Sequence, residues 1–163
     1  MERVYYSEMA SPAGRLLLAG TGDALRMLSF TMGPKAREAA ADWVRDEGPF
    51  ERVKAELGEY FSGERREFSV NLAPAGTDFQ LRVWSALREI PYGTTISYGE
   101  LARRIGNPKG SRAVGLANGA NPIAIIVPCH RVIGSTGKLT GFGGGLDIKQ
   151  RLLDLERGVR LLG

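Results

Sequence analysis

The chain has 163 residues, 43% of them hydrophobic and 25% charged. These are the proportions of one large or two small globular domains, and they exclude wholesale disorder. Charge divides the chain: residues 1–76 hold 10 basic and 12 acidic side chains, whereas residues 77–163 hold 12 basic and 6 acidic, so the basic character belongs to the second half and suits either a polyanionic partner, nucleic acid first, or a solvated surface that is simply basic.

In chain order, residues 3–9 are expected as a strand, followed by a Ser11-Pro12-Ala13-Gly14 turn. Residues 15–19 and Leu25–Phe30 form two further expected strands around a Gly20-Thr21-Gly22-Asp23 loop. Residues 36–44 have a helical composition. Residues 50–61 place apolar side chains at 50, 53, 57, 60 and 61 before a Ser62-Gly63 stop, which predicts an amphipathic helix. Residues 68–72 are one more expected strand, and Ala73-Pro74-Ala75-Gly76 is the best linker.

Beyond the linker the pattern turns helical. Thr77-Asp78-Phe79-Gln80 and Ser97-Tyr98-Gly99-Glu100 both have capping-box spacing. The first opens a helix that should end before Pro91-Tyr92-Gly93. The second opens a short helix to Ile105, stopped by Gly106-Asn107-Pro108. A third short helix is expected over residues 111–118. Two short helices around a tight Gly/Pro turn in a basic segment suggest a helix-turn-helix, a signal shared by many helical hairpins that bind no DNA. Residues 123–127 form an apolar, buried run, residues 134–145 a Gly-rich loop, and residues 148–156 a last helix ended by Arg157-Gly158. The expected fold class is α+β: a small α+β domain over residues 1–76, then a mostly helical, winged-helix-like domain over residues 77–163.

No run of about 18 apolar residues occurs and the N-terminus lacks a secretory pattern, so no membrane association is expected and a cytoplasmic location is. One cysteine cannot form an internal disulfide, and one cysteine with one histidine cannot supply the ligands of a structural zinc site; no metal is expected.

The only cysteine and the only histidine are neighbours, in Pro128-Cys129-His130-Arg131. Cysteine chemistry needs a thiolate, and a free thiol of pKa about 8.5 is only a few per cent ionised at neutral pH. An imidazole can take the proton and a carboxylate can orient the imidazole. A buried apolar cysteine beside a packed histidine is the plain alternative.

The run Asn121-Pro122-Ile123-Ala124-Ile125-Ile126-Val127-Pro128-Cys129-His130-Arg131-Val132 resembles the active-site signature of the O6-alkylguanine-DNA alkyltransferases, the methylated-DNA–protein-cysteine methyltransferase family. The resemblance covers roughly residues 77–158, including Pro91-Tyr92-Gly93, Ser111-Arg112-Ala113-Val114-Gly115 and Gly141-Phe142 through Leu146. Residues 1–76 match only loosely, chiefly at Ser11-Pro12-Ala13-Gly14.

The resemblance implies repair of double-stranded DNA by irreversible, single-turnover transfer of an alkyl group from guanine O6, with O4-alkylthymine as a second substrate. Cys129 matches the acceptor, His130 its base acting through a water, and Glu156 the carboxylate that orients the imidazole. Asn121 matches the residue bracing the active-site turn, and Tyr98 the phenol that bonds guanine N3. Arg112 matches the finger that replaces the flipped nucleotide, within a DNA-contacting helix that includes Ser111, Ala113 and Gly115. Tyr98, Val132, Phe142 and Gly143 form the implied substrate pocket. A small-residue helix suits close approach to the minor groove, where sequence readout is degenerate. No cofactor is implied, and a monomer is. Gly143 stands where some relatives carry a hydroxyl residue, and the zinc ligands of some relatives are missing. The rival readings are a non-reactive lesion binder, which Cys129 opposes; a thiol hydrolase, which would turn over; and a plain DNA-binding regulator, which needs no Cys129–His130 pair. Glu156→Gln is expected at this level to slow alkylation with little change in melting temperature.

Overall fold

The computed structural model describes residues 3–158; Met1, Glu2 and residues 159–163 of the two expected units lie outside the described residues. The N-terminal unit is built on a four-stranded sheet of order β3-β2-β1-β4. Strands β1 (Tyr5–Met9), β2 (Leu16–Gly20) and β3 (Leu25–Phe30) form an antiparallel meander, with Tyr5 opposite Gly20 and Leu16 opposite Phe30. The Ser11–Gly14 turn joins the first two, with Gly14 at φ +93° and its N–H bonded to the Ser11 carbonyl. Every residue of β2 is buried, as expected of a central strand covered on both faces. Helix α1 (Glu51–Phe61) lays Val53, Leu57 and Tyr60 into the core, at the i, i+4, i+7 spacing its apolar pattern predicts.

Two expected elements of this unit are not formed. Residues 36–44 are not helical; they end in β4 (Val44–Arg45), which pairs in parallel with β1. Nine residues make a marginal helix in isolation. Here tertiary acceptors compete with helix at both ends of the segment: Lys35, just before it, bonds the Gly143 carbonyl, Arg37 the Phe30 carbonyl and Val44 the Val4 carbonyl. Residues 68–72 give only an isolated bridge between Leu25 and Leu72, because the Ser69 N–H is taken at 2.9 Å by the buried Glu56 carboxylate.

The C-terminal unit opens with α2 (Asp78–Leu87), whose Thr77–Gln80 capping box is complete. Helix α3 (Tyr98–Arg104) is capped by the Ser97 side chain, which accepts from the Glu100 N–H at 3.1 Å. After the turn through Gly106, at φ +78°, helix α4 (Ser111–Gly119) packs on both α2 and α3. The Trp84 indole N–H ties α2 to α4 by donating to the Ala117 carbonyl at 2.8 Å. This arrangement is the expected helix-turn-helix. Two short strands not expected from the sequence, β5 (Ile96–Ser97) and β6 (Val132–Ile133), pair in parallel, and α5 (Leu146–Glu156) closes the unit.

One continuous apolar core runs through both units, from Leu16, Leu18 and Leu28 to Val83, Val114 and Leu152. The apolar run at 123–127 is buried as its composition demands, but in turns rather than a strand. Its start is stitched to the N-terminal sheet: the Leu28 N–H donates to the Pro122 carbonyl at 3.0 Å and the Ala124 N–H to the Leu28 carbonyl at 2.9 Å. The segment leading to Cys129 is thus held by the edge of the first unit's sheet. No helix among the described residues is long and apolar enough to cross a membrane.

Candidate active site

The segment between α4 and Cys129 is a wound series of turns. Asn121 fastens it, its side-chain carbonyl accepting from the Ile123 N–H at 3.0 Å and its amide donating to the Val127 carbonyl at 2.8 Å. Within the loop so closed, Ile125 has φ +72°, a left-handed conformation that a β-branched residue adopts at a cost of about 1–3 kcal/mol. The surrounding bonds and near-complete burial of residues 123–127 hold it there.

Cys129 begins a single 3-10 turn, Cys129–Arg131, at the base of a 50 Å³ recess lined also by Lys35, Asn118, Asn121, Phe142 and Gly143. The recess shares Lys35, Gly119 and residues 141–143 with a larger cleft of 760 Å³. Tyr98, Ser111, Arg112 and Gly115 line that cleft. Gly115 faces the phenol: a Cβ there would sit in ordinary contact, 3.7 Å from the Tyr98 ring. The Tyr98 hydroxyl is hydrogen-bonded to that of Thr140 at 2.7 Å. Arg112 is exposed on α4, and Ala113 is exposed beside it but outside the cleft wall. Phe142 is fixed edge-on against Phe30 at 5.4 Å between centroids. Of the implied pocket residues, Val132 lies apart, fully buried in β6 and lining neither cavity.

His130 is completely buried. Its Nε2 lies 2.7 Å from Glu156 Oε2, and its Nδ1 has no hydrogen-bond partner. The carboxylate at the end of α5 therefore selects the Nε2–H tautomer and leaves the Nδ1 lone pair for a proton. Glu156 is heavily bonded. Arg131 donates from Nε to Oε1 at 2.7 Å and from Nη2 to Oε2 at 3.0 Å, and the Tyr60 hydroxyl donates to Oε2 at 2.6 Å. Arg131 is itself anchored by the Ile90 carbonyl at 2.7 Å.

The electrostatics follow from burial and these partners. Burial pushes the Cys129 thiol up; the Asn121 side chain and the Lys149 and Lys35 charges work against it. Burial also pulls His130 down, opposed by Glu156. Burial alone would raise Glu156, but hydrogen bonds and charge from His130 and Arg131 hold it well below the usual carboxylate range. At rest, then, the thiol is neutral, and the imidazole of the next residue is neutral and backed by a fixed negative charge. Lys149 is fully buried and donates to the Val132 carbonyl at 2.7 Å and the Thr140 carbonyl at 3.0 Å, pinning the Gly-rich loop to β6. Among the described residues no group of three or more His, Cys, Asp and Glu side chains is placed to hold a metal ion.

Tyr60, Arg131, Lys149 and Lys35 were not picked out as site residues from the sequence. Arg131 carried a usable signal, a charged residue inside an apolar run that must be paired if buried. Tyr60 carried none, since position and composition mark it only as one of the apolar residues of α1.

Fold and site together define a class: a two-unit protein with its cysteine in a recess beside a helix-turn-helix and a buried imidazole–carboxylate pair on the residue that follows. Residues 78–158 match the DNA binding domain, and residues 4–74 the ribonuclease-like domain, of 6-O-methylguanine DNA methyltransferase. The chain belongs to that family. It is 57% identical to a methylated-DNA–protein-cysteine methyltransferase of Methanosarcina acetivorans, covering 94% of this chain and 98% of the relative. It is 55% identical to one from Mycobacterium tuberculosis, covering 94% and 93%. The M. tuberculosis protein crystallised in complex with DNA superposes with a TM-score of 0.89, at 53% identity and with 95% of this chain and 94% of that chain covered.

Proposed function

We propose that this chain repairs O6-alkylguanine, and O4-alkylthymine as a second substrate, by moving the alkyl group to Cys129 Sγ. The observation that carries this reading is the buried Glu156–His130 pair, which leaves one imidazole nitrogen unpartnered on the residue that follows the only cysteine. His130 Nδ1 takes the thiol proton, directly or through one water, while Glu156 stabilises the imidazolium. The thiolate attacks the alkyl carbon, the carbon–oxygen bond breaks, and the base leaves as its electrons return to the ring. Tyr98 hydrogen-bonds guanine N3 and supports that departure. The product is a thioether, which no group of the site can reverse, so the protein acts once. The chemistry calls on no cofactor.

Guanine O6 lies inside the duplex, so the nucleotide must be extruded to reach a recessed thiol. Arg112, exposed at the rim of the cleft, takes the vacated place, while Ser111, Ala113 and Gly115 bring α4 close to the minor groove. We read the boundary between the DNA-binding unit and the N-terminal unit at residues 76/77, and the protein as a cytoplasmic monomer.

The decisive experiment is intact-mass measurement after incubation with duplex DNA carrying O6-methylguanine. The protein should gain one methyl group, located on the Cys129 peptide, while Cys129→Ser binds the same DNA and gains nothing. Methylation elsewhere or repeated turnover defeats the reading. DNA affinity should also fall steeply with salt and vary little between unrelated duplexes, because the basic second unit binds by releasing counterions. A strong sequence preference in such titrations would contradict the minor-groove mode.

A further inference from the structure

The N-terminal unit supplies one polar group to the relay. Tyr60, in the last turn of α1, is fully buried, and its ring is caged by Phe61 at 5.2 Å, Phe68 at 5.6 Å and Tyr92 at 6.2 Å. A phenylalanine would fill that cage without carrying a hydroxyl into the interior, where an unpaired polar group is costly. The hydroxyl is used: it donates at 2.6 Å to Glu156 Oε2, the same oxygen that lies 2.7 Å from His130 Nε2. Burial first, and Glu156 second, push the Tyr60 phenol well up, so it remains a donor throughout the physiological range.

We propose that Tyr60 is a positioning residue of the alkyl-transfer site that sets the basicity of His130 by sharing Glu156 Oε2 with it. This rests on the Cys129–His130–Glu156 reading given above. Oε2 accepts from three donors, Tyr60, His130 and Arg131 Nη2, and divides its charge among them, so the phenol weakens the hold of Glu156 on the imidazolium. Orientation of the carboxylate does not depend on Tyr60, because Arg131 clamps both oxygens. The other groups facing the pair are Tyr92, which is coupled electrostatically to Glu156 and Arg131; the Gly93 N–H, 3.5 Å from Oε1; and Lys149, whose charge acts on both His130 and Cys129. All of them persist when the phenol is removed. The consequence is a damped relay: Tyr60 adds to burial in holding the resting thiol neutral, which suits a protein able to use its cysteine once.

The test uses the full chain and iodoacetamide, whose reaction with a thiol reads Cys129 alone because the chain has one cysteine. In Tyr60→Phe the pH midpoint of alkylation should move downward, with about a three-fold larger thiolate fraction below the midpoint, a change of about half a pH unit. Affinity for O6-methylguanine DNA should stay unchanged. Tyr60→3-fluorotyrosine keeps ring and hydroxyl but donates more strongly, so its midpoint should move upward; it also serves if Tyr60→Phe does not fold. Superimposed profiles, or shifts of the opposite sign, overturn the proposal, since a purely structural tyrosine would alter melting temperature alone. Iodoacetamide needs no DNA. Failure of alkyl transfer in the unsubstituted protein is therefore distinguished from failure of the tuning.

Discussion

Glu156→Gln is expected to lower the melting temperature by about 10 °C as well as to slow alkyl transfer. The sequence alone suggested a change confined to reactivity, because glutamine preserves size and hydrogen-bonding capacity. The structure reverses the thermal half of that expectation. Glu156 is buried and forms a two-point ion pair with Arg131, whose side chain is only 8% exposed. Neutralising one member leaves a buried guanidinium without its counter-charge, and breaking such a pair costs about 3–5 kcal/mol. At about 2–4 °C per kcal/mol for a chain of this size, the drop is roughly ten degrees. The chemical half keeps its sign. Without the fixed negative charge, imidazolium is disfavoured, the thiolate forms at higher pH, and the rate near neutrality falls by about 100-fold. Thermal unfolding and the pH–rate profile of the variant beside the parent check both halves. An unchanged melting temperature would show that solvent or rearrangement compensates Arg131, and an unchanged profile would remove Glu156 from the relay. Glu156→Gln and Tyr60→Phe should move the cysteine midpoint in opposite directions, because one removes the charge and the other removes a competitor for it.

Arg112→Ala is expected to separate two activities that the intact protein combines. Arg112 is exposed at the start of α4, on the wall of the cleft that leads to the Cys129 recess. It has no place in the Glu156–His130 network. Reaction with a free O6-alkylguanine base needs only that network and the recess. Reaction with duplex DNA also needs extrusion of the nucleotide, which costs a few kcal/mol, and in the proposed function the arginine offsets part of that cost. If it offsets about 1.5–3 kcal/mol, transfer from duplex DNA slows by about 10- to 100-fold. Transfer from the free base should change by less than about two-fold. Rates measured on both substrates decide the matter: equal losses would place Arg112 in the chemistry or in folding, and no loss on the duplex would assign extrusion to another residue.

Local patterns made much of this molecule readable before its fold was known. Strands β1 to β3, helix α1, the Thr77–Gln80 capping box and the two helices around Gly106 each rest on interactions between near neighbours. Turn chemistry, capping and apolar period report such interactions directly. The helix expected over residues 36–44 failed for the complementary reason. Its composition favours helix by only a few tenths of a kcal/mol per residue, and acceptors outside the segment, at Val4, Phe30 and the Gly-rich loop, outcompete that preference.

The same division runs through the site. Cys129 and His130 are adjacent in the chain, and Asn121 bonds its own turn, so the motif alone makes them candidates. Glu156 was reached only by resemblance, since 26 positions and a loop separate it from His130. Tyr60 lies 96 positions from Glu156 and on the other unit, and nothing in its neighbourhood marks it. By itself the sequence named the side chains proposed to carry the chemistry and the segments whose helix or strand rests on local interactions. Only the tertiary structure decided who shares the Glu156 carboxylate. A buried carboxylate is defined by every donor packed around it, and the continuous core brings those donors from α1, the Cys129–Arg131 turn and α5 to one point.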